Sequence, residues 1–298
     1  LCSVPNGFRA PNNDPGLING FKRAQLSWYS IDPIFYGNQR PAGITDNDVS
    51  DPRTRRVFID ELFPNVDLQQ GQQQVVNTLD LNYRPNERGP YNYNPLAAGS
   101  NILPNPEDNW GGIMRQFSST DFEQTNVEYI QFWVMDPFQY DPTNAGGTIS
   151  INLGSISEDI LKDNRKQFEN GLPDDGSSGI GVTTIATDYG KVPTNQSLVY
   201  AFDTNGAQRN NQDIGLDGLN DIEENGQFPA FGPDDPARDN YEYFLATGGD
   251  IVTRYRRYNN TQGNSPTELT QDDRGATTLP DVEDINRDNT MNTIDSYF

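Results

Sequence analysis

The chain has 298 residues, of which 33% are hydrophobic and 11% aromatic, and its mean hydropathy is −0.78. Its 43 acidic residues outnumber the 21 basic ones, and the net charge of −22 disfavours binding to nucleic acid or to anionic lipid surfaces. The aromatic content argues against disorder, and 21 Pro and 27 Gly without a period predict frequent turns and short helices.

The first part of the chain, residues 1–70, is predicted to be an extended segment with one helix near 52–63. Asp51 can cap this helix, Pro52 fits its first position and Pro64 ends it. Its apolar face would consist of Val57, Phe58, Leu62 and Phe63. Because neither end of the chain carries a signal peptide or another recognisable terminus, we interpret the chain as part of a longer protein.

Residues 71–202 carry the strand signals and are predicted to form the folded core. Strands are expected at 74–83, 110–117, 128–136 and 148–153. The run EYIQFWVMD at 128–136 is apolar on both faces, which is typical of a strand covered on both sides. Alternation in the last strand points three side chains inward, namely Ile149, Ile151 and Leu153.

A second helix is predicted from Ser157, its N-cap, to about Asn170. Its basic residues Lys162, Arg165 and Lys166 are expected to face solvent. Residues 203–298 are predicted to be loop-rich, with one strand or short helix at 241–245. Together these signals predict a mainly β chain, namely a jelly-roll-like β-sandwich with two short helices and long irregular loops.

Two acidic loops match the twelve-residue calcium-loop register, in which alternate residues point oxygens at one ion. In the first loop, Gly218 takes the tight-turn position and Gly215 leaves position 3 without a ligand oxygen. The ligand positions of the first loop are Asp213, Asp217, the Leu219 carbonyl, Asp221 and Glu224. In the second loop Asn289 takes the turn position, and the ligand positions are Asp284, Asn286, Asp288, Thr290, Asn292 and Asp295. Each loop is interpreted either as a site for a structural Ca²⁺ or as a plain acidic turn.

Catalysis has little support in the sequence. The chain has no His and one Cys, Cys2, which excludes Ser-His-Asp and Cys-His arrangements. Carboxylates such as Asp121, Glu123 and Glu128 could in principle hydrolyse glycosides, but nothing selects them among 43 acids. The aromatic residues Tyr91, Tyr93, Trp110 and Trp133 could stack on a sugar, although packing in the core or beside strands is the favoured interpretation.

Several stretches, in order along the chain, resemble one family. They include AQLSWYSIDP at 24–33, VEYIQFWVMDPF at 127–138, QDIGLDGL at 212–219 and LPDVEDINRDNT at 279–290. Together they resemble the amino-terminal part of the SprA/Sov family of type 9 secretion and gliding-motility proteins, from about residue 20 to 298.

This resemblance implies a non-catalytic structural or interaction domain of a large protein-translocation channel in the outer membrane of a gram-negative bacterium. The implied partners are the parent β-barrel, secreted cargo proteins and accessory outer-membrane lipoproteins, with either membrane side open for this region. Two other hypotheses remain: a carbohydrate-binding module at the cell surface and a glycoside-active enzyme. A solvent-lined aromatic platform would favour the first of these, and two carboxylates at glycosidase separation in a cleft would favour the second.

Overall fold

The protein is described here by a computed structural model. The described residues are 17–117, 124, 126, 128–136, 138, 143–144, 146–161, 164–169, 172–173, 183–187, 189–195, 201–203, 208, 211–212, 214–258, 280–292 and 296–297.

The helices in the described residues are all short. The α-helices are α1 (Leu17–Gly20), α2 (Asp46–Ser50), α3 (Ile59–Leu62), α4 (Asp221–Gln227) and α5 (Ile251–Arg254). Four 3₁₀ helices each begin with a proline, whose fixed φ suits a first helical position: Pro33–Tyr36, Pro95–Ala97, Pro106–Asp108 and Pro229–Phe231.

The strands pair as four two-stranded antiparallel sheets. The longest sheet joins β1 (Ala24–Tyr29) to β4 (Asp80–Arg88), with Leu26 opposite Tyr83 and a register shift between Ala24 and Gln25. The other pairs are β2 (Val57–Phe58) with β3 (Val75–Val76), β5 (Gly154–Ser155) with β8 (Ser296–Tyr297), and β6 (Thr184–Ala186) with β7 (Lys191–Pro193).

Antiparallel β-structure is therefore present, but not in the predicted amount. Because no sheet among the described residues has more than two strands, these residues do not build the two facing sheets of a jelly-roll-like sandwich. The strand prediction at 74–83 is confirmed in part by β3 and β4. Of the strand predicted at 110–117, only Trp110 pairs, through a single bridge to Arg23.

The strands predicted at 128–136 and 148–153 are wrong, since neither segment pairs with another described strand. The side chain of Ile149, predicted to point inward, is 67% exposed, and Ile151 is exposed as well. Residues 128–136 are all exposed, and in the second run only Asn152 and Leu153 are half-buried. Their sequence pattern is that of buried strands, but the burial itself is missing.

The helix predicted near 52–63 is largely wrong. Thr45 caps α2 through a reciprocal capping box with Asp48, so the helix begins earlier, and Asp51 lies at its end. Val57 lies in a strand that pairs with β3, so it cannot be helical, and the helical residues that follow it are those of α3.

The helix predicted at 157–170 is also wrong, because its described residues are not helical. The buried carboxylate of Glu283 accepts hydrogen bonds from the backbone N–H groups of Ile160 (3.0 Å) and Gln167 (3.0 Å). These long-range bonds replace the helical ones. Lys166, predicted to face solvent, is 6% exposed, whereas Arg165 is exposed as predicted.

The largest apolar cluster joins distant parts of the chain. Tyr29 from β1 stacks on Tyr255, with ring centroids 4.0 Å apart, and Phe244 stacks on the same tyrosine at 4.7 Å. Residues 241–245, predicted as a strand or short helix, instead lead into a turn that places Phe244 in this core. A second cluster, formed around Tyr91, Tyr93, Leu161, Tyr189 and Ala237, lies beside the acidic groups described next.

Candidate functional site

The first acidic loop closes onto β7 through two glycines. Gly218 has φ +76°, and a Cβ there would lie 2.2 Å from the carbonyl oxygen of Lys191. A Cβ on Gly190 would lie 2.5 Å from the carbonyl oxygen of Asp217. Since only glycine allows this approach, the tight turn predicted at Gly218 has a specific steric cause.

Three buried carboxylates meet behind this turn: those of Asp217, Glu224 and Asp239. One oxygen from each lies within 4.8 Å of the others. Asp217 accepts hydrogen bonds from the Leu219 N–H (3.0 Å) and the Tyr93 hydroxyl (3.0 Å). We call these three residues the carboxylate cluster.

The start of α4 directs Glu224 into the cluster. Asn220 and Glu223 form a capping box, in which the Glu223 N–H donates to the Asn220 side chain (3.0 Å) and the Glu223 carboxylate accepts from the Asn220 N–H (3.2 Å). This fixes the rotation of the helix, so that Ile222 is 83% exposed while Glu224 is buried and accepts from the Ala237 N–H (2.8 Å).

Burial controls the protonation of the cluster. Burial raises the pKa of Asp217 to about 7. The pKa of Glu224 is raised to about 10, mainly by burial and to a smaller extent by the nearby charge of Asp217. Two adjacent buried carboxylates cannot both be ionised cheaply, so the cluster is stabilised either by protons or by a cation.

Asp239 takes the place of the ligand that the first loop lacks. A Cβ at Gly215, the loop's position 3, would lie 1.9 Å from Asp239 Oδ2. The carboxylate thus occupies the space of the missing side chain, coming from outside the loop. Sequence reasoning missed Asp239. The only signal was the gap at Gly215, which could not single out one acid among 43.

The predicted ligands of the first loop do not form one cage. Asp221 belongs to a second group with Glu224 and Asp235, and accepts from the Asn240 side-chain amide at 3.1 and 3.2 Å. Asp235 is ion-paired with Arg257. Asp213 lies outside the described residues. Of the ligands predicted for the first loop, the structure brings Asp217 and Glu224 together with Asp239.

A buried arginine lies next to these acids. Arg88 donates from Nη1 to the carbonyls of Asn92 (2.8 Å) and Pro236 (2.7 Å), and from Nε to Asn101 Oδ1 (3.0 Å). Its guanidinium lies over the ring of Phe231, 4.8 Å from the centroid. Burial lowers its pKa to about 10, while nearby carboxylates, among them Glu224, favour the charged form. No sequence pattern pointed to this residue.

The second acidic loop is closed by hydrogen bonds and a lysine. The buried Asp284 carboxylate accepts from the N–H groups of Asp288 (3.1 Å) and Asn289 (2.9 Å). Lys166 Nζ lies 3.6 Å from Asp284 Oδ2 and donates to Asn289 Oδ1 at 3.1 Å. An ammonium group therefore neutralises the loop's first carboxylate.

The other predicted ligands of the second loop serve this turn or its neighbours. Asn286 Oδ1 accepts from the Asp288 N–H (2.9 Å), and Asp288 Oδ1 accepts from the Thr290 N–H (2.7 Å). Asn292 donates to Glu158 from its side chain (3.2 Å). Asp295 lies outside the described residues. Within them, both groups of three acidic side chains belong to the first loop and its partners.

The aromatic residues considered for sugar stacking do not share a surface. Tyr91 and Tyr93 are buried in the second core cluster, as the favoured interpretation predicted, whereas Trp133 is 63% exposed. Of the candidate glycosidase carboxylates, Asp121 and Glu123 lie outside the described residues and Glu128 is exposed.

Residues 209–298, which contain both acidic loops and the carboxylate cluster, match the SprA_N family model, described as motility related/secretion protein. Residues 209–298 of the chain belong to the SprA family. This match confirms, over these residues, the resemblance drawn from the ordered motifs, and it indicates a motility- or secretion-related protein. A search of the curated proteins gave no match. In the part of the chain that the structure describes, no helix is long and apolar enough to cross a membrane.

Proposed function

We propose that this chain is a non-catalytic structural and interaction domain of a type 9 protein-translocation channel in the outer membrane. The SprA_N match carries the proposal. The absence of His from the sequence and the use of buried acids in structural hydrogen bonds support a non-catalytic role. In this role the domain would contact the parent β-barrel, secreted cargo and accessory outer-membrane lipoproteins.

The packing supports a domain that holds its shape while proteins pass. Arg88 at the end of β4 joins residues 92, 101 and 236, and Glu283 joins the 160–167 segment to the carboxyl-terminal region. Such links between distant segments fix surfaces relative to one another, which an interaction domain requires and a flexible tether does not.

The proposal is tested in a bacterium that uses type 9 secretion, with the full-length protein altered at its chromosomal locus. We expect a destabilising core substitution, Tyr255→Ala, to reduce cargo secretion and gliding together, because Tyr255 is fully buried at the centre of the aromatic core. Exposed Leu96→Ala is the matched control and should leave both unchanged. Normal secretion and gliding with Tyr255→Ala, at unchanged outer-membrane levels of a domain shown to be unfolded, would contradict the proposal.

We also propose that a structural Ca²⁺ binds at the carboxylate cluster. Support comes from two sources: the calcium-loop register, which supplies Asp217 and Glu224, and the position of Asp239 in place of the missing ligand at Gly215. A divalent cation would replace the protons that burial otherwise retains on these carboxylates.

Calcium should raise the melting temperature of the purified chain by about 5 °C at pH 8, at a free concentration ~100-fold above Kd, and by little at pH 5. In chelator, the raised pKa values of Asp217 and Glu224 mean that the folded state binds more protons than the unfolded state. The contribution of these groups to stability should therefore fall as pH rises from about 4 to about 10. Calcium must displace those protons, so its effect is largest at high pH.

The controls separate the two acidic loops. Asp217→Asn with Glu224→Gln should abolish the calcium response and flatten the pH dependence in chelator. Asp288→Asn, in the second loop, should retain both the calcium response and the pH dependence of stability. Equal melting temperatures with calcium and chelator at pH 8 would show that the cluster holds protons only.

A further inference from the structure

An apolar segment lies on the surface at residues 128–136. All nine residues are exposed, and the exposed fractions of Tyr129, Trp133 and Val134 are 81%, 63% and 62%. Contiguous exposure of this kind marks interaction sites in soluble domains, whereas single exposed apolar residues do not.

The order of side chains in this segment is that of a strand covered on both faces. Successive residues of a strand point to opposite sides, so Tyr129, Trp133 and Met135 would share one face, while Ile130, Phe132 and Val134 share the other. Such double-sided apolar runs are typical of strands inside a sheet. Among the residues that the structure describes, no strand pairs with 128–136.

A ring contact links the segment to another described part of the chain. The ring of Trp133 packs edge-on against Phe63, with centroids 6.1 Å apart, and Phe63 is itself exposed. The contact places the segment beside α3 and leaves the rest of the run accessible. No described strand pairs with either backbone edge of the segment.

The charges around the segment specify what can pair with it. Glu128 and Asp136, both exposed, bound the apolar run at its two ends. Between Arg115 and Lys162 the chain has no basic residue, and its acidic residues there are Asp121, Glu123, Glu128, Asp136, Asp141, Glu158 and Asp159. A second copy of the chain would bring like charges together, which disfavours self-pairing. A strand with basic ends would be complementary.

We propose that residues 128–136 pair with a β-strand of a partner polypeptide that has an apolar centre and Lys or Arg at both ends. This deepens the proposed function, on which it rests for the presence of such partners, and names the surface and the chemistry that recognises them. Main-chain pairing supplies the affinity, and the acidic ends select the partner.

The test uses the full chain and synthetic fluorescent peptides, each with nine alternating Val and Thr residues between two flanking pairs of charged residues. By fluorescence anisotropy at low salt, the Lys-flanked peptide should bind at least about fivefold more tightly than its Glu-flanked twin. Glu128→Lys with Asp136→Lys should reverse this preference. Glu107→Lys with Glu242→Lys, two exposed acids elsewhere, should leave it unchanged.

A proline tests strand pairing separately from charge. Val134→Pro removes a backbone donor from an exposed segment without disturbing the core, and should weaken binding of the Lys-flanked peptide at least about tenfold. The proposal is overturned by equal affinity for both peptides, by no binding at about 1 mM peptide, or by sedimentation showing a dimer that Val134→Pro dissociates. These binding results are independent of secretion. If the peptides did not bind as expected but the Tyr255→Ala strain lost secretion, the strand-pairing proposal would be overturned and the proposed function would stand.

Discussion

Gly218→Ala is expected to destabilise the chain by about 3 kcal/mol. Gly218 has φ +76°, where a Cβ is itself unfavourable. The new Cβ would also lie 2.2 Å from the Lys191 carbonyl oxygen and 2.8 Å from its nitrogen, which are backbone atoms that cannot rotate away. The loop would have to separate from β7, and Asp217 would lose its place in the carboxylate cluster.

Urea denaturation of the wild-type chain and the variant measures this loss. Gly226→Ala is the matched control, because Gly226 lies in the last turn of α4 with nothing within 4 Å of a new Cβ. Alanine there should stabilise the helix by up to about 1 kcal/mol, since glycine is the poorer helix former. If Gly218→Ala lowered the free energy of unfolding by no more than about 0.5 kcal/mol, the loop would not approach β7 this closely.

Arg88→Ala is expected to cost about 3 to 5 kcal/mol, the range for removing one partner from a buried charged network. The substitution leaves the carbonyls of Asn92 and Pro236 and the side-chain oxygen of Asn101 without their donor in a fully buried site. It also removes a buried positive charge whose charged form is favoured by the nearby carboxylates of Asp235 and Glu224.

Arg53→Ala provides the comparison. Arg53 is ion-paired with Asp51, but its side chain is 59% exposed, so its loss should cost no more than about 0.5 kcal/mol. Chemical denaturation at pH 7 with both variants compares a buried and an exposed arginine directly. Equal losses from the two substitutions would mean that Arg88 is solvated in solution, contrary to its position under Phe231.

Some of the fold could be predicted because its cause is local. The strand signals that became β3 and β4 and the glycine required at position 218 depend on the residue itself or its nearest neighbours. The ordered motifs also indicated the family, and the match at 209–298 confirms this for that part of the chain.

The candidate site was predictable only in part. The loop register selected Asp217, Asp221 and Glu224, and the structure places Glu224 in both acidic groups, one with Asp217 and one with Asp221. The register missed Asp239 and Asp235, which come from another segment of the chain. A spacing rule fixes which residues of one loop turn inward. It contains no information about acids that reach the same point from elsewhere.

By itself, the sequence determined the acidic character, the shortness of the helices and the turn at Gly218, because composition and local conformational preference specify them, and its ordered motifs indicated the family. Only the tertiary structure decided that Lys166 is buried against Asp284 and that Arg88 is buried near acidic side chains. It also decided that Glu283 accepts backbone hydrogen bonds from a segment in which a helix was predicted. Periodicity predicts a solvent-facing lysine and a helix. The cost of burying a charge is offset by partners far away in sequence, and such partners become neighbours only when the chain has folded.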